Sequence, residues 1–158
     1  IISFDPNLRF ALWENLEDLK KAVLEFLPLA HVLKLSDEEL YFLTGEDSIE
    51  AAKEKLFVGN VHLLIYTRGA DGAECYTKKA NAQSKGKKVK AVDTGAGDAF
   101  IGSFLYQLYA DGVTEADLPE LTSDKMAVYL DFSNRYCAKS VQKAGAIASY
   151  PTMVEMEE

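Results

Sequence analysis

Apolar residues recur along the chain in two rhythms. Short, nearly continuous runs such as Ile1-Ile2-Ser3-Phe4, His31-Val32-Leu33-Lys34-Leu35 and Val61-His62-Leu63-Leu64-Ile65-Tyr66 are strand-sized and match strands buried on both faces. Between them lies helical spacing. Leu16, Leu19, Val23, Leu24 and Leu27 share a stripe, with Asn15 as N-cap and Pro28 as the stop. Ser36 opens a helix through Leu43, with Gly45 as its C-terminal cap, and a short helix covers 48–56. Arg68-Gly69-Ala70-Asp71-Gly72 predicts a tight turn into a returning strand over 73–77. Residues 78–88, rich in Lys, predict an exposed loop, and 89–92 a short strand. A helix then runs to about Tyr109, a polar loop covers 111–122, and a long helix capped by Ser123 stops near Gly145. Pro151 and the acidic tail predict a frayed end. Strands alternating with helices predict an α/β layered fold, with a mainly parallel sheet and helices on both faces.

Length and charge narrow the function. The 158 residues fit one domain, and no domain boundary or repeat is visible. The net charge of −8 argues against a nucleic-acid binder, which needs a basic field. No apolar run nears the roughly 18 residues of a membrane helix. Cys75 and Cys137 have no metal or disulfide spacing; both read as buried small hydrophobes of a reducing, cytoplasmic setting. The chain opens inside a strand pattern, which is the expectation for a piece of a longer protein.

The sharpest chemical signal is Val92-Asp93-Thr94-Gly95-Ala96-Gly97-Asp98-Ala99-Phe100. A strand ends, two glycines bracket an alanine, and a helix begins with an acid. Small residues let backbone N–H groups converge, and the positive helix end completes an anion site. A carboxylate beside a phosphate cradle is what a general base for phosphoryl transfer requires. A plain helix cap would use the same residues. A P-loop would need a Gly-Lys-Ser/Thr ending, and a dinucleotide fingerprint a third glycine where Phe100 stands; neither fits.

Gly95-Ala96-Gly97-Asp98 opening a helix resembles the second signature of the ribokinase-like carbohydrate kinases, the PfkB family. Thr67-Arg68-Gly69-Ala70-Asp71-Gly72 is similar to that family's nucleotide turn. Lys34-Leu35-Ser36-Asp37-Glu38-Glu39 with Leu43-Thr44-Gly45 is similar to its N-x-x-E region in a Ser-substituted form. Asn134, then Lys143-Ala144-Gly145-Ala146 with Pro151, resemble its adenine-side helix and ending. Asp5-Pro6-Asn7-Leu8-Arg9 with Leu12-Trp13 resembles a segment of fructokinases and ketodeoxygluconate kinases. Five motifs in order span most of the chain.

The resemblance implies a ribokinase-like fold and an ATP-dependent sugar kinase, fructokinase-like, with ATP, Mg²⁺ and a monovalent cation as cofactors. It implies Asp98 as the base, with the N–H groups of Gly95, Ala96 and Gly97 as the anion hole. Thr67, Gly69, Gly72 and Asn134 would line ATP, Asn7 and Arg9 would lie on the substrate side, and Glu39 would reach Mg²⁺ through water. Residues 1–158 would be the C-terminal, nucleotide-binding part of the kinase domain. The N-terminal sugar-binding part and lid would be absent, so the piece alone would be inactive, while the complete protein would be a homodimer. A ketodeoxygluconate kinase, a non-catalytic kinase-like protein and a nicotinamide-dependent dehydrogenase stand as alternatives. Two residue-level alternatives also stay open: Ser36-x-x-Glu39 reads equally as a capping box, and Asn134 as a polar surface position. The signature is one residue shorter than the family's, because Thr94 runs straight into Gly95.

Overall fold

The computed structural model describes residues 1–92 and 95–157. Asp93 and Thr94, where the signature is short, lie outside the described residues. The elements are β1 (Ser3–Phe4), α1 (Leu16–Phe26), β2 (Val32–Ser36), α2 (Asp37–Thr44), α3 (Ile49–Leu56), β3 (Leu63–Thr67), β4 (Gly72–Tyr76), β5 (Asn81–Lys85), α4 (Ala96–Ala110), α5 (Ser123–Ser140) and α6 (Met153–Glu157). They build one five-stranded sheet in the order β1-β2-β3-β4-β5. The first three strands are parallel, with Val32 opposite Leu63 and Ser3 opposite Val32. β4 and β5 extend the sheet antiparallel. The expected parallel sheet is therefore β1 to β3, and a hairpin makes the whole sheet mixed.

Strand alternation sorts side chains onto two faces. Leu33, Leu35, Leu64 and Tyr66 pack under α1 to α3 with Leu19, Val23, Leu40, Ile49 and Leu56. Val32, Leu63, Ile65, Ala73 and Cys75 pack against α4 and α5 with Phe100, Phe104, Leu108, Met126 and Tyr129. Burying each large side chain contributes roughly 1.5–3 kcal/mol, so this two-faced core fixes where the strand ends point.

Local chemistry explains the boundaries. Oδ1 of Asn15 accepts the amide of Glu17 at the start of α1. Ser36 and Glu39 form a reciprocal capping box at α2, which Gly45 ends in the left-handed region at φ +74°. Four sequence expectations change. Residues 81–85 form the edge strand β5, not a loop: β4 supplies its hydrogen-bond partners, and only alternate positions are half-buried. Residues 89–92 form no strand, although Val92 N–H donates to Val141 O at 2.7 Å. α5 is capped by Thr122, whose hydroxyl accepts from Lys125 N, and it ends at Ser140 rather than near Gly145. Gly145, at φ +116°, instead opens a 3-10 turn over Ala146–Ser149. The acidic end folds as α6, held by Lys143 against Glu155 at 2.7 Å.

Candidate active site

A cavity of about 410 Å³ lies at the carboxyl ends of β2 and β3, where open α/β sheets bind ligands. Ser36 and Thr67 come from the two strand ends, Gly69 and Gly72 from the turn that follows, and Asn134 from α5. Ala96 and Gly97, in the first turn of α4, close one side. Gly95 precedes them in the left-handed region at φ +100°, which lets the chain turn sharply into the helix. The first amides of a helix have no intrahelical acceptor, so those of Ala96 and Gly97 are placed to meet an anion. Asp98 sits in the same first turn and is exposed.

The turn and the far wall of the cavity meet tightly. Gly72 has φ +110°, and a Cβ there would lie 2.1 Å from the carbonyl oxygen of Ser84. A Cβ at Gly86 would lie 2.3 Å from Ala70 O. Both glycines are thus required by packing, whatever the cavity holds. The Asn134 side-chain amide donates to Ser84 O at 3.2 Å and to Lys85 O at 3.4 Å. Asn134 is buried, so it is not a polar surface position; it ties α5 to the end of β5 beside the cavity. The Thr67 hydroxyl donates to Leu35 O at 3.4 Å.

Glu39 is buried, and both of its carboxylate oxygens are engaged. Oε2 accepts Ser36 N–H at 2.8 Å, and Oε1 accepts Leu8 N–H at 2.9 Å. The capping-box reading therefore holds. Among the described residues no group of three or more His, Cys, Asp or Glu side chains could hold a metal ion. Asn7 and Arg9 lie on the exposed loop after β1, away from the cavity wall. Asn7 has φ +47°, and its Oδ1 accepts from Arg9 Nη1.

Three residues to which the sequence assigns no site role line the cavity. Lys34 is almost fully buried, lines the cavity and pairs with Asp5 at 3.1 Å. Burial pushes the Asp5 carboxyl above its ordinary value, Lys34 pulls it back, and Glu39 and Asp98 add to the rise. A lysine inside the apolar run 31–35 is the sequence signal for this pair. Gly86, inside the Lys-rich stretch, is the second. Cys137 is the third: it is half-buried rather than buried, lines the cavity, and its thiol donates to Ala96 O at 3.3 Å. Burial pushes that thiol up, and Lys34 lowers it. Cys75 is fully buried, as expected.

Residues 2–153 match the pfkB family of carbohydrate kinases. Fructokinase-2 of Solanum habrochaites is 40% identical over 157 residues, covering 98% of this chain and 46% of that protein. The fructokinase of Xylella fastidiosa with bound ATP superimposes with a TM-score of 0.90 at 31% identity, over 99% of this chain and 50% of its own. A Vibrio cholerae fructokinase double mutant, bound to fructose, ADP and a potassium ion, gives a TM-score of 0.82 at 35% identity, over 98% and 48%. The chain thus spans about half the length of the relatives it matches. Among the described residues no helix is long and apolar enough to cross a membrane. With residues 2–153 matching the family model and its fold shared by solved fructokinases, this chain belongs to the pfkB family of carbohydrate kinases.

Proposed function

We propose that residues 1–158 are the nucleotide-binding, C-terminal part of a fructokinase-like kinase domain that transfers the γ-phosphoryl group of ATP to a sugar hydroxyl. One observation carries this reading: the cavity at the ends of β2 and β3 is closed by the glycine-opened first turn of α4. Phosphates fit at that turn, because unpaired amides and the helix dipole favour negative charge there. The nucleotide would run from the amides of Gly95, Ala96 and Gly97 along Thr67, Gly69 and Gly72 toward Asn134. Asp98, the third residue of α4 and part of that first turn, would accept the proton of the attacking hydroxyl. Positioning and charge stabilisation supply most of the rate in phosphoryl transfer. Asn7 and Arg9 would act on the substrate side, and the rest of the sugar pocket would come from an N-terminal part of the domain.

Mg²⁺ fits as a cation that arrives on the phosphates rather than in a protein cage. Its chemistry is to neutralise charge developing on the phosphoryl oxygens. Such ions keep several waters, and Glu39, whose oxygens already serve two amides, would reach it only through one of them. A monovalent cation is the remaining cofactor of this reading, supported by the potassium ion in the Vibrio cholerae structure.

Calorimetric titration of the purified chain tests the reading. MgATP is expected to bind saturably, and NAD to give no heat of binding. Absence of ATP binding, or equal binding of NAD, refutes it.

A further inference from the structure

Lys34 is out of place among its neighbours. By strand alternation it shares the α4–α5 face with Val32, Leu63 and Ile65, which are fully buried, and it is itself only 6% exposed. Its Nζ lies 3.1 Å and 3.3 Å from the two carboxylate oxygens of Asp5. A buried ion pair of this kind adds little to stability, because desolvation offsets the attraction. Its location points to another use. A Cβ at Gly97 would lie 3.3 Å from Nζ, so the ammonium rests against the first turn of α4 and glycine makes the room. The end of that helix is itself positive. Two positive features therefore converge on one wall of the cavity, an arrangement that is unfavourable alone and favourable once an anion joins them. An ammonium has three donors. Asp5 engages at most two, which leaves at least one for the cavity.

We infer that Lys34 is the charged donor that reads the terminal phosphate of the bound nucleotide, and that Asp5 is the positioning residue holding its ammonium there. The inference rests on the nucleotide-site reading above and adds to it a basis for preferring ATP to AMP. Asp5 acts at the end of β1, so it also links the first strand of the sheet to the first turn of α4.

The test is calorimetry with ATP, ADP and AMP on the parent chain, Lys34→Met, Asp5→Ala and Asp5→Asn. A charge-assisted bond to phosphate is lost in Lys34→Met, so ATP affinity should fall about tenfold or more while AMP affinity stays within about threefold. Asp5→Ala should lower the ATP-to-AMP ratio in the same way. Asp5→Asn should restore most of it, because the amide oxygen still accepts from Nζ; a purely structural role would give Ala and Asn equal losses. Where Lys34→Met fails to fold around an unpaired Asp5, the neutral double variant Asp5→Asn/Lys34→Met is read by the same ratio. An unchanged ratio in a parent and variant that both bind ATP overturns this inference alone. A parent that binds no ATP overturns the site reading as well.

Discussion

The backbone amide of Leu8 donates to Oε1 of Glu39 at 2.9 Å, which fastens the loop after β1 to the first turn of α2. The other carboxylate oxygen of Glu39 holds Ser36 N–H. One buried side chain thus fixes the strand-to-helix corner at the mouth of the cavity and the loop carrying Asn7 and Arg9. Glu39→Ala leaves both amides without this acceptor, and should destabilise the fold by about 1–3 kcal/mol. Urea unfolding should show a lower midpoint for Glu39→Ala, with Glu39→Gln intermediate, since its amide group retains one acceptor oxygen. An unchanged midpoint would mean that Glu39 serves only a ligand.

Gly72 and Gly86 offer a sharper steric test. A methyl at either position would meet backbone atoms at 2.1–2.3 Å, and backbone does not yield as a flexible side chain does. Each of Gly72→Ala and Gly86→Ala should cost about 1–3 kcal/mol or more and weaken ATP binding, because the turn that lines the cavity must shift. Gly69→Ala meets no atom within 4 Å, although it is strained at φ +51°, and should cost less than either. Thermal melts of the three variants check the order.

The C-terminal helix predicts a pH dependence. The Lys143 ammonium, with the amide and hydroxyl of Thr152, holds the Glu155 carboxyl down at about 2, against an ordinary 4.5. A depressed carboxyl contributes stability that is present above its unfolded pKa and lost as pH falls through the folded one. The parent should therefore melt above Glu155→Gln at pH 7, and the gap should close between pH 4.5 and about 2. Salt should narrow the gap as well, because the pair is at the surface. A gap that persists at pH 2 would assign the effect to packing of α6.

Asp98 should reveal its position through binding before any turnover is measured. A carboxylate beside the terminal phosphate repels it, so Asp98→Asn should bind ATP about two- to tenfold more tightly. AMP, which lacks the terminal phosphates, should bind the variant and the parent alike. The substitution is exposed and should change stability by no more than about 0.5 kcal/mol. Weaker ATP binding by a folded Asp98→Asn would remove this residue from the phosphate end.

The start of α1 and both ends of α2 were the most legible features of the chain, because capping chemistry is local. Asn15, the Ser36 and Glu39 pair, and Gly45 act within a few residues of where they stand, and each marks its boundary in the structure. The edge strand over 81–85 was not legible. Asn81-Ala82-Gln83-Ser84-Lys85 has no β-branched residue, and it is a strand only because β4 offers a ladder. The stretch 89–92 failed in the opposite sense: its valines suggest a strand, but among the described residues no strand pairs with it. In the site, the glycine turn before α4 and the turn from Thr67 to Gly72 were visible as motifs. The Lys34–Asp5 pair was not, since its meaning depends on two residues 29 positions apart meeting beneath a third segment. Asn134 was visible as a residue but not as a tie to β5, for the same reason.

The central claim is that the cavity between β2, β3 and the first turn of α4 receives ATP with its phosphates at Gly95 to Gly97. A crystal structure of the chain with a non-hydrolysable ATP analogue tests this most directly. The account predicts phosphate oxygens within hydrogen-bond distance, about 2.7–3.2 Å, of the Ala96 and Gly97 amides, with the adenine on the Asn134 side. An analogue bound elsewhere, or lying in the cavity with its phosphates turned away from α4, would contradict it.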